Sequence, residues 1–340
     1  MNILAADIGG TNARFACFEL RDHELRSKTQ RTYASGEMAS VEEALGRFLG
    51  VIDEGIDRAA LAVAGPVFDG AGRLTNLGWR VCESDLAEWV GTDDVRVMND
   101  FAALAHVVPF LGGDDVTVVQ AGANHASGVA AVLGAGTGLG QALVFPRASG
   151  SGVTVHPTEG GHAGFAPRTE GEWALRSFLA ERHGSHVSWE RVLSGAGLRA
   201  AYDYVIGPGN LTEDPTTRAA MRNSDPAAVI VERALADADP ACVWALDSFA
   251  ALFGARAGDV ALSVGATAGV YLAGGVTFRI REKLKEGAFL DAFLGKGRMA
   301  EWLRRVPVKV ITRDDAGMLG AVVATTGSDV LRLPPRANAG

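Results

Sequence analysis

Apolar and polar positions alternate in blocks along this chain, and glycines mark where the blocks break. Residues 3–18, ILAADIGGTNARFACF, read as an apolar run, one aspartate, two glycines, Thr-Asn and a second apolar run. That is the pattern of a strand, a tight turn and a strand. Helical spacing follows in SVEEALGRFLGVIDEG, a buried strand in RAALAVAGPV, a short helix in ESDLAEWV, and VRVMND passes from strand into the helix FAALAHVV. Strands alternating with helices predict an α/β layer whose sheet is at least partly parallel. Residues 129–145, VAAVLGAGTGLGQALVF, repeat the strand, glycine turn and strand, and YLAGGV later matches LAVAGPV as an apolar strand closed by Ala-Gly. Two similar halves, the second enlarged by helices over about 171–260, would produce this pattern. So would any α/β chain with glycine at its strand ends, and pattern alone leaves the two open. The helix DAGMLGAVVATTG is expected to pack back on one lobe, and the tail VLRLPPRANAG reads as loose.

Composition narrows the classes. The chain has 340 residues, 48% of them apolar and 21% charged, enough for two cores. No apolar run approaches the roughly 20 residues of a membrane-spanning helix, and the first run, broken by Asp7 and two glycines, reads as a strand and not a signal peptide. Three dispersed cysteines fit neither a disulfide framework nor a zinc spacing, which suggests a reducing cytoplasm. The net charge of −8, without a basic cluster, argues against nucleic acid. It leaves room for a phosphate ligand held by backbone amides and a metal.

GAGTGLG (134–140) invites a dinucleotide-binding reading. Its glycines miss the G-x-G-x-x-G spacing, because Leu139 and Gln141 stand where the last glycine belongs, and a strand follows where a helix is required. The Walker pattern is missing as well. What remains is two glycine hairpins whose N–H groups can converge on an oxygen-rich ligand. Thr11 and Thr137 add hydroxyls, and Asp7 can hold Mg²⁺ through water. One such hairpin is explained as well by Asp7 bonding turn amides; the pair together with LAGGV favours phosphate.

Asn99 and Asp100 stand where a strand becomes a helix. Asp100 there is either an N-cap or a general base, and a helix N-terminus would keep its carboxylate ionised at pH 7. Glu159 and His162 have the Glu-x-x-His spacing of a helical metal pair. The glycines at 160 and 161, with Pro157 and Pro167 nearby, favour a loop whose carboxylate and imidazole suit sugar hydroxyls. Glu190 alone reads as a helix-start acid. Asn76 caps a turn or meets a sugar, His106 reads as an ordinary helix residue, and the tryptophans read as packing.

LAADIGGTNARFA, AVAGPV, LTNLGW, NDFAALA, GAGTGLG, PTEGGHAGFAP, ERVLSGAGL and YLAGGV, in this order over about residues 4–320, resemble bacterial glucokinases of the hexokinase/actin-like superfamily. ROK sugar kinases share the first hairpin but carry a zinc-binding cysteine cluster, and residues 155–172 contain no cysteine. The resemblance implies a two-lobed α/β fold of the actin-like/ribonuclease H-like ATPase type, with a cleft between a smaller domain (1–110 plus about 313–340) and a larger one (111–312). It implies ATP-dependent phosphorylation of D-glucose at O6, the first step of glycolysis, with Mg²⁺, by a cytoplasmic homodimer. By resemblance Asp100 is the base, and Asn99, Asp100, Glu159, His162 and Glu190 bind glucose. Gly9, Gly10, Thr11, Asn12, Gly136, Thr137 and Gly138 serve the phosphates, Gly274 and Gly275 the adenosine side, and Asp7 the metal. A kinase for a related hexose, a non-catalytic sugar sensor and an actin-like ATPase are the rival readings. Competition among sugars, ATP turnover with glucose, and sugar-independent hydrolysis would separate them.

Overall fold

The computed structural model describes residues 1–74, 77–123, 125, 127–148, 152–327 and 331–336, so Asn76 lies outside the described residues. The chain divides into two compact units, one of residues 1–115, 144–157 and 313–340, the other of 116–143 and 158–312. Residues 111–115 and 144–157, expected in the larger domain, fall in the first unit.

The first unit opens with β1 (Asn2–Ile8), β2 (Asn12–Arg21) and β3 (Glu24–Ala34), an antiparallel meander. Helix α1 (Val41–Leu49) follows, its Ser40 cap accepting from the Glu43 N–H, and buries Val41, Ala44, Leu45 and Phe48 on one face. Then come β4 (Arg58–Val63), a small sheet of β5 (Val67–Phe68), β6 (Ala71–Leu74) and β7 (Trp79–Cys82), α2 (Glu83–Val90), β8 (Val95–Asn99) and α3 (Asp100–Val107). The main sheet runs β3-β2-β1-β4-β8, with β1, β4 and β8 parallel. Ile8 pairs with Val63 and Val63 with Asn99, so β1, β4 and β8 end level with one another. The carboxyl ends of parallel strands are where α/β sheets bind ligands.

The second unit starts at β9 (Val116–Gln120), β10 (Ala130–Ala135), β11 (Leu139–Pro146) and β12 (Val153–Thr158), the last two strands ending in the hairpin grouped with the first unit. Helices α4 (Glu170–His183), α5 (Gly195–Ile206), α6 (Pro215–Asn223), α7 (Pro226–Leu235) and α8 (Pro240–Val264) fill the expected insertion. All five carry a Ser, Thr or Asp cap that accepts from a first-turn N–H, and at α6, α7 and α8 the cap and first residue are Asp-Pro. Next are β13 (Gly269–Ala273), α9 (Gly275–Arg279), α10 (Gly287–Leu294), α11 (Ala300–Arg304) and β14 (Val308–Ile311). The sheet order is β12-β11-β10-β13-β14-β9, with β10, β13 and β14 parallel. Positions 12-11-10-13-14 repeat the order 3-2-1-4-8, the outcome a duplicated unit requires.

Helix α12 (Ala316–Thr326) belongs to the first unit, packing on α3, β4 and β1. Gly320 makes the crossing possible, since a Cβ there would lie 1.8 Å from the Ala103 carbonyl oxygen. The tail is held where it is described, against expectation. Leu331 is buried, Arg332 exchanges backbone hydrogen bonds with His23 and Leu25, and the Pro334 carbonyl accepts from Arg313. Among the described residues no helix is long and apolar enough to cross a membrane.

Candidate active site

In the first unit Asp7 is the last residue but one of β1 and Asn99 ends β8. The cap of α3 is Asn99, not Asp100: its Oδ1 accepts from the N–H groups of Phe101 (2.9 Å) and Ala102 (3.2 Å). Its amide nitrogen donates to the Gly65 carbonyl at 3.1 Å, which fixes the whole side chain. Asp100 is the first helical residue and accepts from the Phe101 N–H at 2.9 Å.

The helix terminus does not keep the Asp100 carboxyl in the ordinary carboxylate range. Burial, and then the like charge of Asp7, push its carboxyl up to about 7, outweighing the hydrogen bonds from Phe101, its own N–H and Asn99. The sequence expectation counted the dipole and missed the larger desolvation. Burial also raises Asp7, with the Arg14 guanidinium opposing it. Arg14 pairs with Asp7 across β1 and β2 and donates to the Asp314 carbonyl at 2.9 Å. The first turn of α12 reaches the same place, because a Cβ on Gly317 would lie 3.2 Å from the Asp7 carboxylate.

The first hairpin closes through the Gly9 N–H to the Asn12 carbonyl (2.9 Å), so that amide is already used and Gly10, Thr11 and Asn12 form the exposed part. Ser35, which sequence reasoning missed, braces the turn from outside. Its buried hydroxyl donates to the Gly9 carbonyl (2.9 Å) and its N–H to that of Thr11 (2.8 Å).

In the second unit the Gly136 N–H closes its hairpin to the Gly138 carbonyl at 2.9 Å, leaving Thr137 exposed. Two neighbours fix this turn. Glu190, on a short 3-10 turn, accepts from the Leu139 N–H at 3.0 Å, and the Gly195 N–H at the start of α5 donates to the Gly136 carbonyl at 2.8 Å. The positive end of a twelve-residue helix therefore abuts the turn, which favours an anion there. Gly274 has an internal reason to be glycine. Its φ is +96° and a Cβ would meet the Ala135 carbonyl oxygen at 2.4 Å. Gly275, by contrast, faces open space.

Residues Gly160–His162 form one 3-10 turn, and Glu159 and His162 meet across it at 3.8 Å, both exposed. The turn carrying them is tied to that of Glu190 by the Trp189 N–H to the Ala163 carbonyl, 2.9 Å. The structure thus gathers Asp7, Gly9–Asn12, Asn99 and Asp100 within one unit, and Gly136–Gly138, Glu159, His162, Glu190, Gly274 and Gly275 within the other. His106 lies in the last turn of α3. It lines a cavity of about 560 Å³ in the first unit beside Glu83, Arg96 and Asn99, and burial with the cations of Arg96 and Arg147 lowers its imidazole to about 4.

A family model described as Glucokinase matches residues 4–327. A glucokinase of Nitrobacter hamburgensis is 38% identical over 316 residues, covering 92% of this chain and 94% of its own. The crystal structure of glucokinase from an Antarctic psychrotroph superimposes with a TM-score of 0.82 at 34% identity, covering 96% of this chain and 99% of that one. A ROK-family glucokinase from Streptomyces griseus, 20% identical, shares the fold with a TM-score of 0.63 over 96% of this chain and 100% of that one. With the family model spanning nearly its whole length and the ATPase-like α/β fold of the sugar kinases, the chain belongs to the glucokinase family.

Proposed function

We propose that Asp100 takes the proton from the O6 hydroxyl of D-glucose while the γ-phosphoryl group of ATP is transferred to that oxygen. The observation that carries this reading is the carboxyl of Asp100, raised to about 7 and set beside the fixed side chain of Asn99 at the carboxyl end of β8. A base is most effective with a pKa near the operating pH. The sugar hydroxyl is a far weaker acid than this carboxyl, so the proton moves with phosphoryl transfer and not before it. The S. griseus kinase was solved with glucose and AMPPNP, which supports both substrates.

Asn99, Glu159, His162 and Glu190 are assigned to the sugar hydroxyls. Gly10, Thr11, Asn12, Thr137 and Gly138, at turns whose first glycine amide is already paired, are assigned to the phosphates together with Gly9 and Gly136, and Gly274 and Gly275 to the adenosine side. Mg²⁺ fits the donor set near Asp7. Two carboxyls, each raised by burial and one raised further by the other, leave a surplus of negative charge that a hard, oxygen-ligated cation would relieve. Among the described residues no three His, Cys, Asp or Glu gather to hold a metal, so Asp7 would share it with phosphates and water. The cation would supply charge neutralisation on the transferring phosphoryl group. A cytoplasmic homodimer is proposed from the family resemblance, with the free Cys17, Cys82 and Cys242 supporting a reducing compartment.

The test is glucose-dependent ADP release with Mg²⁺ by the wild type and Asp100→Asn. Loss of about 10²–10⁴-fold in kcat with glucose binding retained is expected. A variant that turns over at the wild-type rate would remove Asp100 from this role.

A further inference from the structure

Three segments of the second unit converge on one side chain of α8, Arg256. Its Nη2 donates to the Gly160 carbonyl at 2.9 Å and to Gln141 Oε1 on β11 at 3.0 Å. Its guanidinium carbon lies 5.7 Å from the centre of the Trp189 ring, the residue before Glu190. Trp189 is itself buried and packs edge-on against Phe165, 5.0 Å between centroids. Arg256 therefore touches the turn between Glu159 and His162, the turn of Glu190, and the strand leaving the second glycine hairpin.

The neighbours leave this turn little freedom of its own. A Cβ on Gly160 would lie 2.4 Å from Gln141 Oε1, and one on Gly161 2.1 Å from the Leu139 carbonyl oxygen. The two glycines let the turn lie flat on β11, where the guanidinium bond to Gly160 is the contact from α8. Beside it stand local bonds from the Gly160 N–H to Thr158 Oγ1 (3.2 Å), the His162 N–H to the Glu159 carbonyl (3.0 Å) and the Ala163 N–H to the Gly160 carbonyl (3.2 Å), and a contact of the His186 ring with the His162 carbonyl (2.9 Å). Glu159 and His162 project outward, exposed, so their positions follow the backbone beneath them. Arg256 Nε is buried without a protein partner, a cost of the kind tolerated where a group serves another end.

We infer that Arg256 is a positioning residue for sugar recognition: its guanidinium sets the Gly160–His162 turn and the Glu190 turn in register, so that Glu159, His162 and Glu190 reach the hydroxyls of one hexose. This rests on the assignment of those three residues to the sugar. A planar, forked cation suits the task. Arginine can bond two acceptors and lie over an indole at once, whereas the ammonium of lysine is a point donor.

The experiment compares steady-state kinetics of Arg256→Met, Arg256→Lys, Gln141→Leu and Glu159→Gln with those of the wild type, varying glucose and ATP separately. Displacement of a substrate-holding turn by about 1 Å costs up to roughly 100-fold, so Arg256→Met is expected to raise the glucose KM about tenfold or more. The ATP KM should stay within about twofold, and Arg256→Lys should recover part of the loss. Gln141→Leu, which removes one acceptor and keeps the volume, should raise the glucose KM in the same direction by less. It carries the test if Arg256→Met does not fold. Arg256 and Gln141 variants with unchanged glucose KM, beside Glu159→Gln with a raised one, would overturn the positioning role while leaving the sugar site standing. Glucose and ATP KM rising together, with a lowered melting temperature and no recovery by lysine, would reduce Arg256 to a packing residue. Glu159→Gln with unchanged glucose KM would overturn the sugar assignment itself, and the positioning role with it.

Discussion

The two glycine hairpins begin from the same local device and are supported in opposite ways. In each, the first glycine amide closes the turn, Gly9 to Asn12 and Gly136 to Gly138, and a threonine is left exposed. Two positions before the first glycine, however, β1 carries Asp7 where β10 carries Gly134. The first hairpin is thereby a charged site. Asp7 acts on Asp100, is opposed by Arg14, and meets the start of α12. The second is a clamped one, held by the carboxylate of Glu190 and the N-terminus of α5. If the halves descend from one unit, a turn that only presents amides has been specialised twice. One copy governs protonation, and the other ties its turn to the residues assigned to the sugar.

The comparison predicts unequal responses. Removing the charge should act most strongly: Asp7→Asn is expected to cost about 10–100-fold in kcat, the scale for groups that support a metal site. It should also shift the pH profile. Asp100 must be ionised to accept a proton, so kcat/KM rises with pH and levels off above about 7. Without the Asp7 charge the Asp100 carboxyl falls, and the acid limb moves to lower pH. A limb that stayed in place would mean that the two carboxyls are not coupled.

Removing the clamp should act next. Glu190→Ala deletes the acceptor for the Leu139 N–H, an interaction with a charged group worth about 1.5–3 kcal/mol, and should raise the glucose KM about tenfold. Glu190→Gln keeps an acceptor and should lose less, with no change in the acid limb. A displaced limb in either Glu190 variant would erase the contrast between the hairpins. The smallest effect belongs to Ser35→Ala, which frees the Gly9 carbonyl at a cost of about 1 kcal/mol. Thermal unfolding should report it as a drop of a few degrees, with kcat/KM changed less than in Asp7→Asn.

Much of this was readable from local pattern. Both hairpins, the strand-to-helix junction at Asn99 and Asp100, the short turn between Glu159 and His162 and the helical insertion depend on neighbouring residues, and periodicity with glycine placement records them. What sequence reasoning missed comes from distant partners. Ser35 braces a turn 26 residues away, and Arg256 bonds a carbonyl 96 residues away. The Asp100 carboxyl is raised first by burial and then by Asp7, on a strand two places across the sheet from β8. Sequence left Asp100 open between cap and base because Asn and Asp are both good caps; the extended backbone of Asn99 and its Oδ1 bonds to the Phe101 and Ala102 N–H groups make Asn99 the cap. The tail seemed loose because nothing in its composition announces His23, Leu25 and Arg313 as partners.

The return of α12 to the first unit has a consequence for biosynthesis. The sheet of β1, β4 and β8 is translated within the first hundred residues, yet the helix that covers it and crosses α3 at Gly320 emerges from the ribosome about 200 residues later. Throughout that interval the alanine face of Ala60, Ala62 and Ala103, which Ala321 later closes, waits uncovered. Small side chains expose little apolar area each, so the waiting face is less adhesive than one of leucine or phenylalanine would be. The same choice that allows a tight helix crossing thus also makes the nascent chain a safer client while its last segment is still being synthesised.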